Sequence, residues 1–463
     1  MSGRVLIAGT HSSVGKTTVT VGLLAALARR GVRVAPFKAG PDYIDPGLHA
    51  QAAGRPSRNL DVWLLDGAAL QAVLRRGLQR ADVAVIEGVM GLFDGIGASQ
   101  EGSTAMLART LQCPVILVLD VAAMSGTAAA LVLGCQQMQP SVQLAGVVLN
   151  RVGSDGHAQS TGAAITATTG LPIVGSLPAD PELAVPERHL GLVPAAEGGI
   201  SPGAVERLAQ LVEQRFDLAA IQRIADGAPA LREHPGGRHE GAQQRAPGGQ
   251  HESRQERARI AVAQDRAFGF YYQDTIDLLA ECGAEIVPFS PLADAALPSA
   301  SDAVYLGGGF PELYAQQLAD NTPMRDALRA HEGPIYAECG GLMALGQSLT
   351  SIEGTTLPMF GLLPLESRMD QATLTIGYRE VEAVRSNVLM SEGTRVRGHE
   401  FHWSVAQPPP ADMAAYKIVG DSGFEGFVRG SVLGSYVHLN FAGAPRLAQR
   451  FVELSAAARD RRR

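Results

Sequence analysis

The sequence predicts two α/β domains built on mainly parallel sheets, and three observations carry that expectation. Short, uninterrupted, β-branched-rich apolar runs alternate with longer helical patterns in both halves of the chain. Strands that are apolar at every position belong to sheets covered on both faces. A Gly-containing turn leads from the first run straight into a helix, and a polar stretch, Asp226 to Ala258, divides the chain. That stretch holds one large aliphatic residue (Leu231), several Gly-Gly and Pro steps and charges of both signs. It cannot bury enough surface to offset its ordering entropy, so a flexible linker is expected there. The boundaries on this reading are 1–225, 226–258 and 259–463.

In the first half the runs are Val5–Ala8, Val32–Phe37, Val83–Ile86, Val115–Leu119, Ala145–Leu149 and Ile173–Gly175. In the second they are Ile260–Ala263, Glu285–Phe289, Ala303–Leu306, Pro334–Ala337 and Val432–Tyr436, with a more antiparallel pattern between Phe360 and Val405. No repeat at solenoid or propeller periods is present. Composition narrows the function. The 463 residues include 39 basic and 46 acidic ones, net −7, against a sequence-independent nucleic-acid binder, which needs a basic surface. Cys113, Cys135, Cys282 and Cys339 are too few and too scattered for a disulfide framework. No apolar run approaches the ~20 residues of a membrane span, and MSGRVLIAGT reaches a Gly-rich stretch too soon for a signal peptide. No membrane partner and a cytoplasmic location are expected.

Open parallel sheets bind ligands at the carboxyl ends of their strands, so the chemistry is sought just after the runs. The first leads to Gly9-Thr10-His11-Ser12-Ser13-Val14-Gly15-Lys16-Thr17-Thr18, then a helix through Leu23, Leu24 and Leu27 that stops near Gly31. Loop and helix-terminal N–H groups would cradle phosphates, Lys16 would neutralise β/γ oxygens, and the Thr17 hydroxyl would ligate Mg²⁺. Thr10 stands where the strict GxxxxGK[ST] pattern requires Gly, and Gly9 sits one residue early. After the second run come Lys38, Asp42, Tyr43 and Asp45, between Pro41 and Pro46. Lys38 would reach a phosphoryl group or an acidic substrate, and Asp42 and Asp45 would hold metal or substrate; an Asx-type turn is the competing reading of that spacing. Glu87 ends the third run, where a nucleotide-binding sheet places the acid that holds Mg²⁺, and Asp94 follows in a Gly-rich loop. Asn150, after the fifth run, would either read adenine or cap a strand end.

In the second half, Pro334–Ala337 leads to Glu338-Cys339-Gly340-Gly341. A Cys at a sharp strand-to-helix turn before two glycines has the shape of a nucleophile elbow, and a helix N-terminus favours thiolate. His438 is the candidate base, and Gly309 and Gly340 the candidate oxyanion donors. Cys113, Cys135 and Cys282 are read as core. Gly398-His399-Glu400-Phe401-His402 is not HExxH, and packing or ligand contact is preferred to a zinc site there.

Gly9–Thr18, the Phe37–Asp45 and Glu87–Gly95 segments, Ala267–Tyr272, Glu338–Gly341 and Gly398–His402 together resemble the cobyrinate a,c-diamide synthase family, glutamine-hydrolysing corrin amidases of cobalamin biosynthesis that include hydrogenobyrinate a,c-diamide synthases. The resemblance spans nearly the whole chain outside the linker. It implies a dethiobiotin-synthetase-like P-loop domain, whose loop reads GTxxxxGKT, followed by a class I glutamine amidotransferase-like domain. It further implies that ATP, with Mg²⁺, phosphorylates the a- and c-acetate carboxylates of a corrinoid acid, and that ammonia from L-glutamine attacks the acyl phosphate. On that scheme Gly9, Thr10, Gly15, Lys16, Thr17, Thr18 and Asn150 bind ATP, Thr17 and Glu87 hold metal, and Lys38, Asp42, Tyr43, Asp45 and Asp94 serve the acceptor side. Cys339 and His438 serve the glutaminase.

Many class I glutaminases place Glu two residues after the base; here that position is Asn440, an amide that would orient His438 without stabilising imidazolium. Cobyrinate and cobalt-free hydrogenobyrinate differ at the ring centre, away from the reacting rim; Phe270-Tyr271-Tyr272 and Cys339-Gly340-Gly341-Leu342 favour cobyrinate, with hydrogenobyrinate the alternative. Cobyric acid synthases lack the Gly-Pro-Asp-Tyr-Ile-Asp run. Partitioning-type ATPases carry a lysine where His11 stands, and a Cys hydrolase with a regulatory nucleotide domain is a third class. A homodimer is allowed by the sequence and not fixed by it.

Overall fold

The computed structural model of the chain describes residues 3–180, 197–231 and 257–462, with the backbone of 187–188 and 191–192. It divides into two compact units, Met1–Gln243 and Gln244–Arg463. Residues 232–256 of the expected linker lie outside the described residues; of its two ends, Asp226 closes a helix and Ala258 opens a strand.

The first unit's strands are β1 (Gly3–Gly9), β2 (Val34–Ala39), β3 (Arg58–Leu60), β4 (Val83–Glu87), β5 (Val115–Asp120), β6 (Leu144–Val152) and β7 (Ile173–Pro178). They make one parallel sheet in the order β3-β2-β4-β1-β5-β6-β7. A separate antiparallel pair joins β8 (Glu187–Arg188) and β9 (Gly191–Leu192). The helices are α1 (Lys16–Arg29), α2 (Asp45–Ala53), α3 (Gly67–Gly77), α4 (Thr104–Thr110), α5 (Thr127–Met138), α6 (Asp155–Thr169), α7 (Pro202–Arg215) and α8 (Leu218–Asp226). Val5, Ile7, Val83, Val85, Ile116 and Val118 on one face pack against Leu23, Leu24 and Leu27 of α1, Leu208 and Val212 of α7 and Ile221 of α8. The chain builds outward from β1 to β2 and later crosses back to β5, so strand order reverses at β1. That reversal opens the crevice where such sheets seat ligands.

The second unit contains β10 (Ala258–Ala263), α9 (Gln273–Glu281), β11 (Ala284–Phe289), β12 (Ala303–Leu306), α10 (Ala315–Asp320), α11 (Thr322–Arg329), β13 (Ile335–Glu338) and α12 (Gly340–Leu345). Then follow β14 (Ser348–Thr350), β15 (Thr356–Pro358), β16 (Glu366–Arg368), β17 (Thr375–Ala383), β18 (Arg395–His402), β19 (Val405–Ala406), β20 (Ala414–Ile418), β21 (Phe424–Arg429), β22 (Val432–Ser435), β23 (His438–Leu439) and α13 (Arg446–Arg462). The main sheet runs β11-β10-β12-β13-β22-β21-β20-β17-β18-β23, and β15-β14-β16-β19 form a smaller one. Its first five strands are mutually parallel and the rest antiparallel. The expectation of a mainly parallel sheet therefore holds in the first unit and is corrected in the second. The links from β20 to β21 and from β21 to β22 are too short for a crossover and permit only antiparallel pairing.

Alternation along the parallel strands splits the second core between two faces. Ala261, Ala263, Val304, Leu306, Ile335 and Ala337 join one cluster, and Ile260, Val262, Ala303, Tyr305 and Tyr336 the other. Both faces are covered, as the uninterrupted apolar runs imply. The cysteines divide differently from expectation. Cys113 is buried, and burial pushes its thiol up to about 12. Cys135 is half-buried and Cys282 is exposed, because Cys282 lies just past the last turn of α9, before Gly283 at φ +100°.

Candidate active sites

In the first unit, β1 ends at Gly9 and α1 begins at Lys16, leaving residues 10–15 to form the loop between them, the candidate phosphate loop. Gly15 caps the helix at φ 98°, in the left-handed region, and a Cβ there would lie 2.0 Å from the Asn150 amide nitrogen. Only glycine meets both constraints. Asn150 projects from β6 and its Nδ2 donates to the Val14 carbonyl at 2.9 Å. Asn150 thus braces the loop through one of its two amide N–H groups. Lys16 Nζ donates to the His11 carbonyl at 3.2 Å. Burial, and next the Lys38 ammonium, push Lys16 down to about 8 against the pull of Glu87, Asp45 and Asp94. Thr10 Oγ1 lies 2.9 Å from His11 Nδ1, and Thr18, in the first turn of α1, is half-buried.

Glu87, at the carboxyl end of β4, is the hub of the site and is fully buried. Its Oε1 accepts from Thr17 Oγ1 at 2.7 Å and from Lys38 Nζ at 2.9 Å, and its Oε2 lies 2.6 Å from His49 Nε2. Burial would raise its pKa, but Lys38 and His49 hold the carboxyl well below the usual carboxylate range. Lys38 also contacts Asp45 and the Gly88 carbonyl (3.2 Å), with 3% of its surface exposed. Burial opposes its charge, but Asp45 and Glu87 raise it above the ordinary lysine range. Lys38 and Asp45 are therefore committed to an internal ion cluster rather than left free toward a substrate. Asp42 Oδ1 accepts from the Ile44 and Asp45 N–H groups at 2.8 and 2.9 Å, so the Asx-type turn is present and sets the start of α2. Tyr43 is half-buried. Asp94 is exposed and accepts from Gly91 N–H at 2.8 Å, in a loop tied to the phosphate loop by Leu92 N–H donating to the Gly9 carbonyl (2.8 Å).

The structure brings Thr17 and Lys38 onto Glu87, with Lys16 nearby, and adds His49, which the sequence reading did not single out. The available signal was its spacing, four residues after Asp45 on the same face of α2. For Mg²⁺ the donor set fits: a hydroxyl and a carboxylate 2.7 Å apart are hard oxygen donors, and Mg²⁺ takes one or two such ligands and completes its shell with phosphate and water.

In the second unit, Cys339 follows β13 with φ 48° and ψ −105°, outside ordinary β or α backbone, and precedes α12. Its N–H donates to the Ser435 carbonyl at 2.7 Å, and its Sγ lies 3.8 Å from the Phe401 carbonyl oxygen. His438, on β23, hydrogen-bonds Cys339, and its Nδ1 stands 3.4 Å from Glu338 Oε2. Burial alone would lower the imidazole, but Cys339 and the Glu338 carboxyl beside it push it up to about 10. Gly309 N lies 3.0 Å from the place a Cβ on Gly340 would occupy, and Gly341 N–H donates to the Gly307 carbonyl at 3.1 Å. The two expected oxyanion glycines are thus adjacent. A Cβ on Gly308 would fall 2.6 Å from His438 Cε1, so this loop also packs on the base.

One expectation changes here. Asn440 does not hold His438: its Oδ1 accepts from Ala442 N–H at 3.0 Å and caps the turn at Phe441–Gly443, because the chain bends away after β23. The group at His438 Nδ1 is Glu338, a charge in an otherwise apolar strand and the one signal the sequence offered. The His399–His402 segment is a strand, β18, with His399 opposite His438. Burial, and then the His438 charge, push His399 down to about 3; burial likewise pushes His402 to about 4, and its ring stacks on Tyr436 at 3.9 Å. Among the described residues no group of three or more His, Cys, Asp or Glu is arranged to hold a metal ion, and no helix is long and apolar enough to cross a membrane.

Comparison with known proteins agrees with this division. Residues 5–193 match the CobQ/CobB/MinD/ParA nucleotide binding domain family, and residues 259–445 the CobB/CobQ-like glutamine amidotransferase domain family. The chain is 43% identical over 463 residues to the cobyrinate a,c-diamide synthase of Dehalococcoides mccartyi, covering 98% of each chain. It is 43% identical to the Salmonella typhimurium protein of the same name, again over 98% of each, and 39% identical to that of Priestia megaterium, over 99% of this chain and 98% of the other.

Proposed function

The chain belongs to the cobyrinate a,c-diamide synthase family and is a carbon–nitrogen ligase with glutamine as nitrogen donor; from that premise we propose that it amidates the a- and c-acetate carboxylates of cobyrinate through acyl phosphates. One observation carries the reading. A single chain holds a phosphate loop whose Thr17 pairs with a buried strand-end acid, and a strained cysteine hydrogen-bonded to a buried histidine.

A carboxylate is a poor acyl donor because oxide cannot leave. Attack of its oxygen on the γ-phosphorus of ATP breaks the bond to ADP and leaves an acyl phosphate, whose phosphate is a competent leaving group. Loop N–H groups and Lys16 bind the triphosphate, and Asn150 keeps the loop in shape. Thr17 and Glu87 would hold Mg²⁺, which supplies charge neutralisation on the phosphate oxygens. Lys38 and His49 fix the Glu87 carboxylate from its far side. Tyr43, between β2 and α2, and Asp94, in the loop tied to the phosphate loop, meet the acceptor; Asp42 and Asp45 shape the segment that presents Tyr43.

In the other unit the Cys339 thiolate adds to the glutamine carboxamide carbon. The oxyanion is received at Gly309 and Gly340, and the C–N bond breaks as His438 gives its proton to the leaving nitrogen. Ammonia leaves, and water attacking the thioester releases glutamate and restores the thiol. The ammonia then displaces phosphate from the acyl phosphate to give the amide.

Mass spectrometry of the product from ATP, Mg²⁺ and glutamine with cobyrinate, or with hydrogenobyrinate, tests the substrate. Cys339→Ala is expected to abolish synthesis from glutamine and retain it from added ammonia, and Lys16→Ala to abolish synthesis from either while glutaminase persists. Equal loss with both nitrogen sources in Cys339→Ala would refute the division of labour. ATP turnover unaffected by the corrinoid acid would indicate a nucleotide switch instead.

A further inference from the structure

We propose that Glu338 is the positioning carboxylate of the glutaminase, holding the His438 imidazole through Nδ1 in the part that other glutaminases give to an acid two residues after the base. The inference rests on the reading of Cys339 as nucleophile. Glu338 is 1% exposed. Its Oε1 accepts from Tyr336 Oη and from Leu439 N–H (3.0 Å), and its Oε2 accepts from Tyr305 Oη at 3.0 Å and faces His438 Nδ1 at 3.4 Å. Three neutral donors compensate the buried carboxylate and fix its plane, leaving one oxygen turned to the histidine. Leu439, which follows His438, is held by the same carboxylate, so one residue sets both the backbone and the ring of the base.

Consecutive residues of a regular strand point to opposite faces. Glu338 and Cys339 nevertheless address the same imidazole, because Cys339 leaves the strand at φ 48°. The strained turn at Cys339 therefore brackets the base between nucleophile and carboxylate. Asn440, turned to Ala442, is not joined to His438 by any hydrogen bond among the described residues. The two tyrosines stack at 5.0 Å between ring centroids and pack under Tyr271 and Phe441, which stiffens the mount. The arrangement is an acid–base–nucleophile triad whose acid and nucleophile are neighbours in sequence.

The test is Glu338→Gln in the full chain, an isostere whose carbonyl oxygen, at the Oε1 position, still accepts from Tyr336 and Leu439 N–H, while an uncharged NH2 group faces Tyr305 and Nδ1. The expected result is a fall in glutaminase kcat on the order of 10²-fold, with KM for glutamine changed less than about twofold. The alkaline limb of the pH profile should move down by about one unit or more, because the imidazolium loses its counter-charge. Synthesis from added ammonia should persist. A kcat within about twofold of the parent and an unmoved alkaline limb would overturn the proposal, while glutaminase surviving in Cys339→Ala would overturn the underlying reading instead. Should Glu338→Gln fail to fold, ¹⁵N-histidine NMR of the wild-type chain decides, with His438→Asn giving the assignment: a His438 imidazolium persisting well above neutrality supports the proposal, and ordinary titration near 6.5 rejects it.

Discussion

A charge in a protein interior is stable only against a partner, and Lys38 is where this chain relies on that most. Its ammonium is enclosed with Asp45 and Glu87, both buried. Lys38→Met removes the cation and leaves two carboxylates facing each other in low dielectric. Loss of one partner of a buried pair costs roughly 3–5 kcal/mol, and that is the expected drop, read from Trp63 fluorescence in urea in a Trp403→Phe background. Arg33→Met, which breaks the exposed pair with Asp82, should leave the transition where it is; an equal effect of the two would mean that the Lys38 cluster is solvated. At this scale the sequence was legible where a polar residue follows an apolar run, directly as Lys38 and Glu87 do, or through a turn as Lys16 and Cys339 do. It was not legible where a partner arrives by packing. His49 looks like any core histidine of a short helix, and nothing in a linear pattern reveals that Glu338 and His438, a hundred residues apart, meet across β13, β22 and β23.

Strands were readable in proportion to how fully they are buried. β1, β4, β5 and β12 match their apolar runs within a residue or two, since cover on both faces demands apolar residues throughout. β3, at the sheet edge, is Arg58-Asn59-Leu60 and carries no such demand, so no run marks it. β21 poses a sharper question, because it places Glu425 in the core. The Glu425 carboxyl accepts from Ser435 Oγ and Tyr436 N–H, each at 2.7 Å, and so steadies the end of β22 whose Ser435 carbonyl receives the Cys339 N–H. Burial pushes Glu425 from its ordinary 4.5 up to about 8, and nearby Glu400, on β18, adds to the rise. Between those values the folded state holds a proton that the unfolded state has lost, so stability falls as pH rises through that window. Glu425→Gln should remove this fall, worth roughly 1–3 kcal/mol between pH 5 and pH 8. Urea midpoints read from Trp403 in a Trp63→Phe background would show a flatter pH profile for the variant; an unchanged slope would mean that Glu425 is ionised in the fold.

For the molecule as a whole, the reason to join a ligase to a glutaminase lies in ammonia's own acid–base chemistry. At neutral pH released ammonia is largely protonated in bulk water, and ammonium has no lone pair with which to attack an acyl phosphate. An enzyme that uses its own ammonia before that protonation works without waiting for the bulk pool to fill. The contrast is measurable with two disabled chains. On the proposed mechanism Cys339→Ala would retain the acyl-phosphate chemistry and Lys16→Ala glutamine hydrolysis, so an equimolar mixture would have every catalytic group, on separate molecules. With glutamine, ATP, Mg²⁺ and the corrinoid acid, the wild-type chain is expected to form amide without delay. The mixture should form it only after a lag in which free ammonia accumulates, and added ammonium should abolish the lag. A mixture that matches the wild type from the first turnover would mean that nitrogen passes through bulk solvent, and that the fusion serves co-production of the two activities rather than the transfer of ammonia.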